Sequence, residues 1–293
     1  MRKFYIPEKY NTVVICDYFI EDYQGGAELT TEALLSRIET QTNNSVFRVK
    51  SREASEELIE KYKDKTWIIG NFSEIQKECL FALVRNNCNF HIIEYDYKFC
   101  QYRAPASHKC ECIHTDHGLL ISNFYKRAKS IWFMSQDQMN IHDSYYGIKN
   151  IGNSHVLGSL WEESTLDYLF DLRSRRKDNG KYAILGGGSW IKNQEETEKY
   201  LANKNVEYDV VGDLDYSSFV QKLSNYTGLC FHPAAHDTCP RIVIEAKIFG
   251  LELDLNDYVQ GMNEWFPVIE QGKNEIKKFM NDRVNEFVEV VFN

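Results

Sequence analysis

The segment from His232 to Ala246 carries two carboxylates, Asp237 and Glu245, that lie eight positions apart. Pro240 suits the first turn of a helix, so we expect Asp237 in the loop before that helix and Glu245 about one turn inside it. Carboxylates in these positions can accept hydrogen bonds from sugar hydroxyls, while the free N–H groups at the start of a helix attract a phosphate. The alternative is an ordinary loop and helix with a chance acidic pair.

Two turns that contain glycine follow predicted strands and suit a phosphate group. Gly25 and Gly26 lie between a strand and a helix, where backbone N–H groups and the helix N-terminus favour an anion. The turn from Gly186 to Ser189 is followed by Lys192, a point charge suited to a diphosphate. Because position 191 is Ile, this turn does not complete the dinucleotide fingerprint G-x-G-x-x-G, and it is not a P-loop. A tight turn and a surface lysine are the structural alternatives.

The elements that must position these residues follow a repeated strand and helix pattern. Short apolar runs rich in β-branched residues alternate with segments of helical period, which is typical of βα units and a parallel sheet. In the first half we predict strands at 13–16, 46–49, 67–69 and 91–93, separated by helices at 29–38, 52–63 and 73–86. In the second half we predict strands at 182–185, 206–211, 229–231 and 251–253, with helices at 194–204, 216–225 and 241–249.

The pattern therefore predicts an α/β protein with two Rossmann-like domains, residues 1–155 and 156–293. A basic, polar stretch at 173–180 is interpreted as a solvated connection. Ligands of such sheets bind at the carboxyl ends of the strands, so two facing sheets would enclose a central cleft. The segment from Glu270 to Asn293 is amphipathic at helical spacing and is predicted to be a terminal helix.

Composition and charge exclude several classes of protein. Hydrophobic residues make up 43% of the chain and charged residues 26%, which is typical of a folded globular protein. The net charge of -9 provides no global positive field for nucleic acid or anionic lipid. Glu8 and Lys9 interrupt the apolar run that a signal peptide requires, and no segment approaches the ~18 apolar residues of a membrane span. We expect a cytoplasmic protein without a nucleic-acid or membrane partner.

Taken together, these motifs resemble those of retaining glycosyltransferases of the GT-B fold, in particular the family 4 type with its E-x7-E signature. Asp237 replaces the first glutamate of that signature and Glu245 matches the second. The segment Gly25-Gly26-Ala27-Glu28 resembles the family's N-terminal Gly-Gly-Ala-Glu, and Lys192-Asn193 stands where Lys-Gly is usual. The matches follow the expected order over residues 13 to 255. In this fold the terminal helix crosses back to the first domain.

The resemblance implies a role for each matched position. Glu245 would hold the ribose hydroxyls, Lys192 the diphosphate, Asp237 the donor sugar and Leu214 the base. Departure of the nucleoside diphosphate would be assisted by protein groups, without a metal or other cofactor. The full set implied for the donor site is Gly25, Gly26, Gly188, Ser189, Lys192, Leu214, Asp237, Thr238, Arg241 and Glu245.

Two positions depart from the family pattern. Gly187 stands where the family has an arginine of the diphosphate clamp, for which Arg241 and Lys247 are candidate replacements. Tyr95 stands where many members have a histidine near the donor sugar, and its hydroxyl can still donate a hydrogen bond. The resemblance thus implies Asp237, Lys192 and Tyr95 as catalytic residues.

Six Cys and His residues between positions 100 and 117 are potential zinc ligands: Cys100, His108, Cys110, Cys112, His114 and His117. Their number is sufficient for a tetrahedral site. The spacing Cys-x-Cys and His-x-x-His does not reproduce the C-x2-C knuckle of most structural sites, so we predict no metal here. We expect instead a loop on the acceptor side, in which Asp116 or His117 is a polar contact.

The sequence therefore favours a glycosyltransferase that moves a sugar from a UDP- or GDP-linked donor to a glycan or small hydroxyl acceptor. A noncatalytic module that binds nucleotide or glycan is the main alternative. A nicotinamide oxidoreductase is disfavoured because neither glycine turn completes the dinucleotide fingerprint. The base, sugar, acceptor and oligomeric state remain open.

Overall fold

The computed structural model describes residues 5–42, 44–106, 108, 110–146 and 153–293. Two compact units divide the chain, one formed by Met1–Leu160 with Asn281–Asn293 and one by Trp161–Met280. Each unit is an α/β structure with its own parallel sheet. Among the described residues, no helix has the length and apolar character needed to cross a membrane.

The first unit is built on a parallel sheet of six strands in the order β2-β1-β3-β4-β5-β6 among the described residues. The strands are Tyr10–Cys16 (β1), Ser45–Lys50 (β2), Thr66–Ile69 (β3), Asn89–Glu94 (β4), Ser130–Phe133 (β5) and Ser154–Val156 (β6). The central strands are apolar on both faces, as the sequence TWII of β3 illustrates, because helices cover both faces of a parallel sheet.

The helices of the first unit connect these strands and bury them. They span Gly26–Thr42 (α1), Glu56–Lys61 (α2), Lys77–Arg85 (α3), Asp116–Arg127 (α4) and Gln136–Tyr146 (α5). Trp67 on β3 and Phe90 on β4 lie in the core, where Phe90 stacks on Phe124 of α4 with ring centroids 4.8 Å apart. This packing fixes the carboxyl ends of the strands, where the loops of interest begin.

The second unit has a parallel sheet of four strands in the order β10-β9-β7-β8. Its strands are Tyr182–Leu185 (β7), Tyr208–Val211 (β8), Gly228–Phe231 (β9) and Glu252–Leu255 (β10). Its helices are Glu163–Arg175 (α6), Gln194–Asn203 (α7), Tyr216–Leu223 (α8), Arg241–Phe249 (α9) and Met262–Gln271 (α10). The final helix, Lys273–Phe292 (α11), begins in this unit, and its last residues group with the first unit.

The predicted terminal helix is confirmed in its amphipathic character. Its buried side chains recur every three or four residues: Ile276, Met280, Val284, Phe287 and Val291. The prediction of one helix beginning near Glu270 is refined, because Gly272, at φ 100°, separates α10 from α11. Glycine adopts this φ at little cost, whereas other residues do not.

The prediction of a solvated connection at 173–180 is wrong for its first three residues. Arg173 to Arg175 are the last turn of α6, whose buried face carries Leu166, Leu169 and Leu172. The two arginines lie in the turn where cations stabilise the carbonyl end of a helix. The connection begins at Arg176, which donates hydrogen bonds to the carbonyls of Tyr226 and Phe249.

Candidate functional site

The glycine turn after β7 exposes its backbone in the second unit. An added Cβ at Gly212 would lie 2.9 Å from the Gly186 carbonyl oxygen, so the ends of β7 and β8 approach too closely for a side chain. Gly187 has φ 145°, and among the described residues nothing lies within 4 Å of a Cβ added at Gly187 or Gly188. Ser189, also exposed, ends the turn. The space beside Gly187 and Gly188 lets a ligand approach the backbone closely, although the Gly187 N–H already donates to Gln194 Oε1 at 3.4 Å.

Lys192 and Asp237, which the sequence places far apart, are in contact. The Lys192 Nζ lies 2.6 Å from Asp237 Oδ2, and the side chains are 30% and 16% exposed. Lys192 closes a short 3-10 turn after Ser189, and its ammonium lies 5.2 Å from the Phe231 ring centroid. The pair is therefore half-buried at the carboxyl ends of β7 and β9, where ligands of parallel sheets bind.

Backbone contacts hold the two loops together. The Ala234 N–H donates to the Ile191 carbonyl at 2.8 Å, and Asn193 Nδ2 donates to the His232 carbonyl at 3.0 Å. Asn193 has a left-handed backbone, φ 55°, at the junction between the 3-10 turn and α7. These contacts position Lys192 independently of its ion pair.

The loop after β10 fixes Asp237 from the other side. The Asp237 N–H donates to the Tyr258 carbonyl at 2.9 Å, and the Gln260 N–H donates to the Asp237 carbonyl at 2.9 Å. The sequence pattern did not identify Tyr258 or Gln260, because neither belongs to a recognisable motif. Tyr258 and Gln260 hold the backbone of Asp237. The loops after β7, β9 and β10 together thus determine the position of its carboxylate.

Glu245 lies in the second turn of α9, as predicted, but it is almost completely buried. The side chain accepts hydrogen bonds at Oε1 from Trp161 Nε1 at 3.0 Å and from the Tyr216 hydroxyl at 2.6 Å. Arg241 Nε lies 3.6 Å from the same oxygen. Burial raises the pKa of Glu245, while Arg241 and the two hydrogen bonds lower it. A ribose bond at Oε1 requires this network to open.

Arg241 is buried in the same network. Its guanidinium stacks over Trp161 at 4.2 Å, and Nη2 donates to the Tyr216 hydroxyl at 3.2 Å. Lys247, the other candidate for the missing clamp arginine, pairs with Glu270 at 3.0 Å. Arg241 therefore lies in the same buried cluster as Glu245, whereas Lys247 forms an ion pair with a residue of α10.

The positions predicted beside the base and the sugar differ in exposure. Leu214 is 44% exposed, whereas Thr238 is buried. Asp213 has φ 53°, and Asp215 caps α8 by accepting from the Ser218 N–H at 3.0 Å. Asp213 and Leu214 thus form the turn that leads into the Asp215 cap of α8.

In the first unit, Gly25 lies close to the ends of two side chains, which would have to move for a larger residue. An added Cβ would lie 2.5 Å from both Glu28 Oε2 and Tyr23 Cε1. Gly26 begins α1, and burial raises the pKa of Glu28 within the first turn of this helix. The prediction of a glycine turn before a helix is confirmed, and a role in phosphate binding stays a prediction.

Tyr95, the predicted substitute for the family histidine, uses its hydroxyl within the first unit. The Tyr95 hydroxyl lies 2.7 Å from Thr31 Oγ1, and both side chains are buried. Lys192 and Asp237 belong to the second unit. Lys192 and Asp237 are thus in contact within one unit, and a shared catalytic role with Tyr95 stays a prediction.

A pocket of about 480 Å³ lies in the first unit beside the polar loop after β4. Its polar lining includes Lys98, Arg103, Asp116 and His117. Asp96 bridges the two cations, at 2.6 Å from Lys98 Nζ and 2.9 Å from Arg103 Nη1. Burial opposes ionisation of Asp96, but Lys98 and Arg103 hold its pKa below the ordinary value. Asp116 and His117, predicted as polar contacts, both line this pocket.

Comparison with known proteins identifies the fold. No protein-family profile matches the sequence, and no curated protein matches it either. Sucrose-phosphate synthase from Thermosynechococcus elongatus is 11% identical, with a TM-score of 0.54 over 96% of this chain and 95% of that one. UDP-N-acetylglucosamine 2-epimerase from Rickettsia bellii is 8% identical, with a TM-score of 0.53 over the same shares of the two chains. HepE from Anabaena, solved with UDP and glucose, is 10% identical, with a TM-score of 0.52 over 96% and 95%.

The chain has a GT-B-type fold. At these identities the likeness concerns the fold alone. The narrower resemblance to the retaining family 4 enzymes, carried by Asp237 and Glu245, stays a prediction.

Four of the six Cys and His residues between positions 100 and 117 lie together in the structure. Cys100, His108, Cys110 and Cys112 have ligand atoms within 4.8 Å of one another. The prediction of no metal here stays a prediction, and the C-x2-C spacing on which it rests concerns only ligands that are close in sequence. The turn that carries Cys100 returns to the segment at 110–112 through the fold, which spacing does not reveal.

Proposed function

We propose that this protein is a glycosyltransferase that transfers a sugar from a UDP- or GDP-linked donor to a hydroxyl group of a glycan or small molecule. The contact between Lys192 and Asp237 carries the proposal. It supplies a cation for a diphosphate and a carboxylate for sugar hydroxyls at the carboxyl ends of two parallel strands. The GT-B-type fold supports a nucleotide-sugar ligand for this position.

The ion pair between Lys192 and Asp237 gives an order of events for donor binding. Without ligand, Asp237 neutralises Lys192 and holds its ammonium between the loops. A donor diphosphate presents more negative charge than one carboxylate, so Lys192 exchanges partners and binds the phosphates. Asp237 is then released to accept hydrogen bonds from the donor sugar. The open backbone of Gly187 and Gly188 gives the diphosphate room to approach.

The leaving diphosphate gains negative charge during the reaction, and this charge must be stabilised. Lys192 stabilises the negative charge that grows on the diphosphate as the glycosidic bond breaks. Arg241 is a candidate second cation, and Leu214 offers an apolar surface to the base. Retention and independence of a metal are parts of this proposal, based on the resemblance to the family.

The first experiment measures nucleotide binding by thermal shift and calorimetry, with UDP, GDP, ADP, CMP and NAD. A ligand at ~100 times its Kd stabilises the folded chain by about 2.7 kcal/mol. We expect one nucleoside diphosphate to bind and Lys192→Ala to weaken its binding about 10- to 100-fold, because a charged hydrogen bond is lost. Lys199, which pairs with Glu196 on exposed α7, provides a control variant, Lys199→Ala. Binding of NAD alone, or equal affinity in Lys192→Ala, would contradict the proposal.

A binding module without turnover is the second candidate function. Two observations favour it: Gly187 replaces the clamp arginine, and the Tyr95 hydroxyl is bonded to Thr31. Hydrolysis of the donor and transfer to an acceptor separate the two functions. Nucleotide binding that depends on Lys192, without release of nucleoside diphosphate from any donor sugar, would establish the binding module.

A further inference from the structure

Four potential metal ligands converge in the first unit. Cys100, His108, Cys110 and Cys112 each offer one ligand atom, and these atoms lie within 4.8 Å of one another. Cys100 Sγ lies 3.7 Å from His108 Nε2. All three cysteines are buried free thiols, and His108 is half-buried.

We propose that Cys100, His108, Cys110 and Cys112 bind a structural Zn²⁺ ion. Three cysteines and one histidine are one of the ligand sets that form tetrahedral structural zinc sites, with bonds of about 2.3 Å to sulfur and about 2.0 Å to nitrogen. A tetrahedron with these bonds separates its ligand atoms by about 3.5–3.8 Å. The separation of Cys100 and His108 falls in this range, and the remaining ligand atoms need to move by about an ångström or less to reach it. The proposal does not depend on the proposed glycosyltransferase activity.

Short backbone turns hold the ligands in place. The Cys100 N–H donates to the Tyr97 carbonyl at 2.9 Å, so a tight turn presents the first ligand. Cys112 begins a 3-10 turn, and Thr115 Oγ1 donates to its carbonyl at 2.6 Å. An added Cβ at Gly118 would lie 2.0 Å from the same carbonyl, so α4 packs directly on this turn. The cluster is therefore supported by secondary structure on both sides.

The ion would connect the loop after β4 to the start of α4. Cys100 and Arg103 both line the pocket of the first unit, and Arg103 bonds to the Cys100 carbonyl through its N–H at 2.9 Å. Asp116 and His117, on the opposite side of the connection, line the pocket as well. Zinc binding would thus fix this wall of the pocket.

A second group, Cys230, His232 and Asp254, does not support a metal to the same degree. Its three ligand atoms also lie within 4.8 Å of one another. The Asp254 carboxylate, however, accepts hydrogen bonds from Tyr200 at 3.0 Å and from Lys204 at 3.2 Å, besides its contact with His232. A carboxylate that already bonds a cation is a poor ligand for another, so this group is a hydrogen-bonded network.

The test uses the full chain, produced without a histidine tag and purified without chelating resin. Elemental analysis is expected to find stoichiometric zinc, which a thiol-binding mercurial releases from the wild-type protein. Replacement by Co²⁺ is expected to give thiolate-to-cobalt charge-transfer bands together with tetrahedral d–d bands. Because these measurements use the wild-type chain, they do not depend on the folding of a variant.

Variants then assign the ligands. Cys110→Ser and Cys112→Ser should lose the zinc and the charge-transfer bands, whereas His108→Asn should weaken binding and alter the d–d bands. Cys88→Ser is the matched control, because Cys88 is 2% exposed and lies outside the cluster. Wild-type protein with only background zinc would overturn the proposal. So would cobalt spectra without thiolate bands, or a disulfide between any two of the three cysteines in the isolated protein.

Discussion

Trp161 donates its indole N–H to Glu245 Oε1 at 3.0 Å, which joins the first residue of the second unit to the middle of α9. The carboxylate is 1% exposed and neutralises the guanidinium of Arg241, which is itself 7% exposed. Burial of an unpaired charge is costly, so the pairing of Glu245 with Arg241 stabilises the second unit. The network of Trp161, Arg241 and Glu245 therefore has a structural role, whether or not Glu245 also binds a nucleotide.

Glu245→Ala should therefore destabilise the second unit. We expect a loss of about 3–5 kcal/mol, because Arg241 would remain as a buried charge without its carboxylate. Glu245→Gln should cost less, since the amide oxygen can still accept from Trp161 and Tyr216. Chemical denaturation of the wild type and both variants measures the difference. Equal stability of the three proteins would show that the network does not stabilise the fold.

Tyr216→Phe tests the same network with a smaller change. The phenol donates to the Glu245 carboxylate at 2.6 Å and accepts from Arg241 Nη2 at 3.2 Å, so its removal should cost about 1.5–3 kcal/mol. The variant should stay folded, which allows the ribose role of Glu245 to be tested through nucleotide affinity. Unchanged affinity together with reduced stability would assign the network to structure alone.

Asp237→Asn should separate diphosphate binding from sugar recognition. The substitution removes the charge that neutralises Lys192, so affinity for the nucleoside diphosphate should stay equal or rise. Transfer or hydrolysis of the donor sugar should fall, because an amide is a weaker acceptor than a carboxylate. Calorimetry with the diphosphate and turnover with the donor sugar provide the two measurements. Weaker diphosphate binding in Asp237→Asn would contradict the exchange of partners.

Two glycines of the second unit should respond differently to alanine. Among the described residues nothing lies within 4 Å of a Cβ at Gly188, so Gly188→Ala should change stability by less than about 0.5 kcal/mol. If a phosphate approaches this backbone, nucleotide affinity should nevertheless fall. Gly212→Ala should cost about 1–3 kcal/mol, because its Cβ would lie 2.9 Å from a backbone oxygen. Equal effects of the two variants on stability and affinity would argue against a binding role for Gly188.

Apolar patterning predicted the strands nearest to the proposed site because each is a short buried run between polar turns. The strand predicted at 182–185 and the helix predicted at 241–249 match β7 and α9 in both bounds. The region from α4 to β6 was not predicted. Strand β6 has three residues, and the four residues of β5 include a buried serine, so neither gives a long apolar signal.

The candidate site was predictable where it depends on loops after strands, and not where it depends on distant contacts. The positions of Lys192 and Asp237 followed from the strand ends that precede them. Trp161 is 84 residues from Glu245, and no local pattern reports that such residues meet. The burial of Glu245, which decides what its carboxylate does, is therefore a property of the tertiary structure alone.

Glu94, at the end of β4, should make the stability of the first unit dependent on pH. Burial raises the pKa of Glu94 to about 8, Lys98 opposes the shift and Asp96 adds to it. The folded chain thus binds a proton that the unfolded chain releases near its ordinary value of 4.5. The stability linked to this proton is full below pH 4.5 and is lost as the pH rises through 8.

Glu94→Gln should remove this dependence, because the amide keeps the shape of the protonated side chain and does not ionise. The stability of the variant relative to the wild type should increase as the pH rises from about 6.5 to about 9. This window avoids the buried His91, whose pKa is lowered by burial to about 4 and whose effect has the opposite sign at lower pH. Urea denaturation at several pH values measures the difference between the two proteins. A difference that is constant over this window would show that Glu94 does not titrate there, so that its pairing with Lys98 outweighs burial.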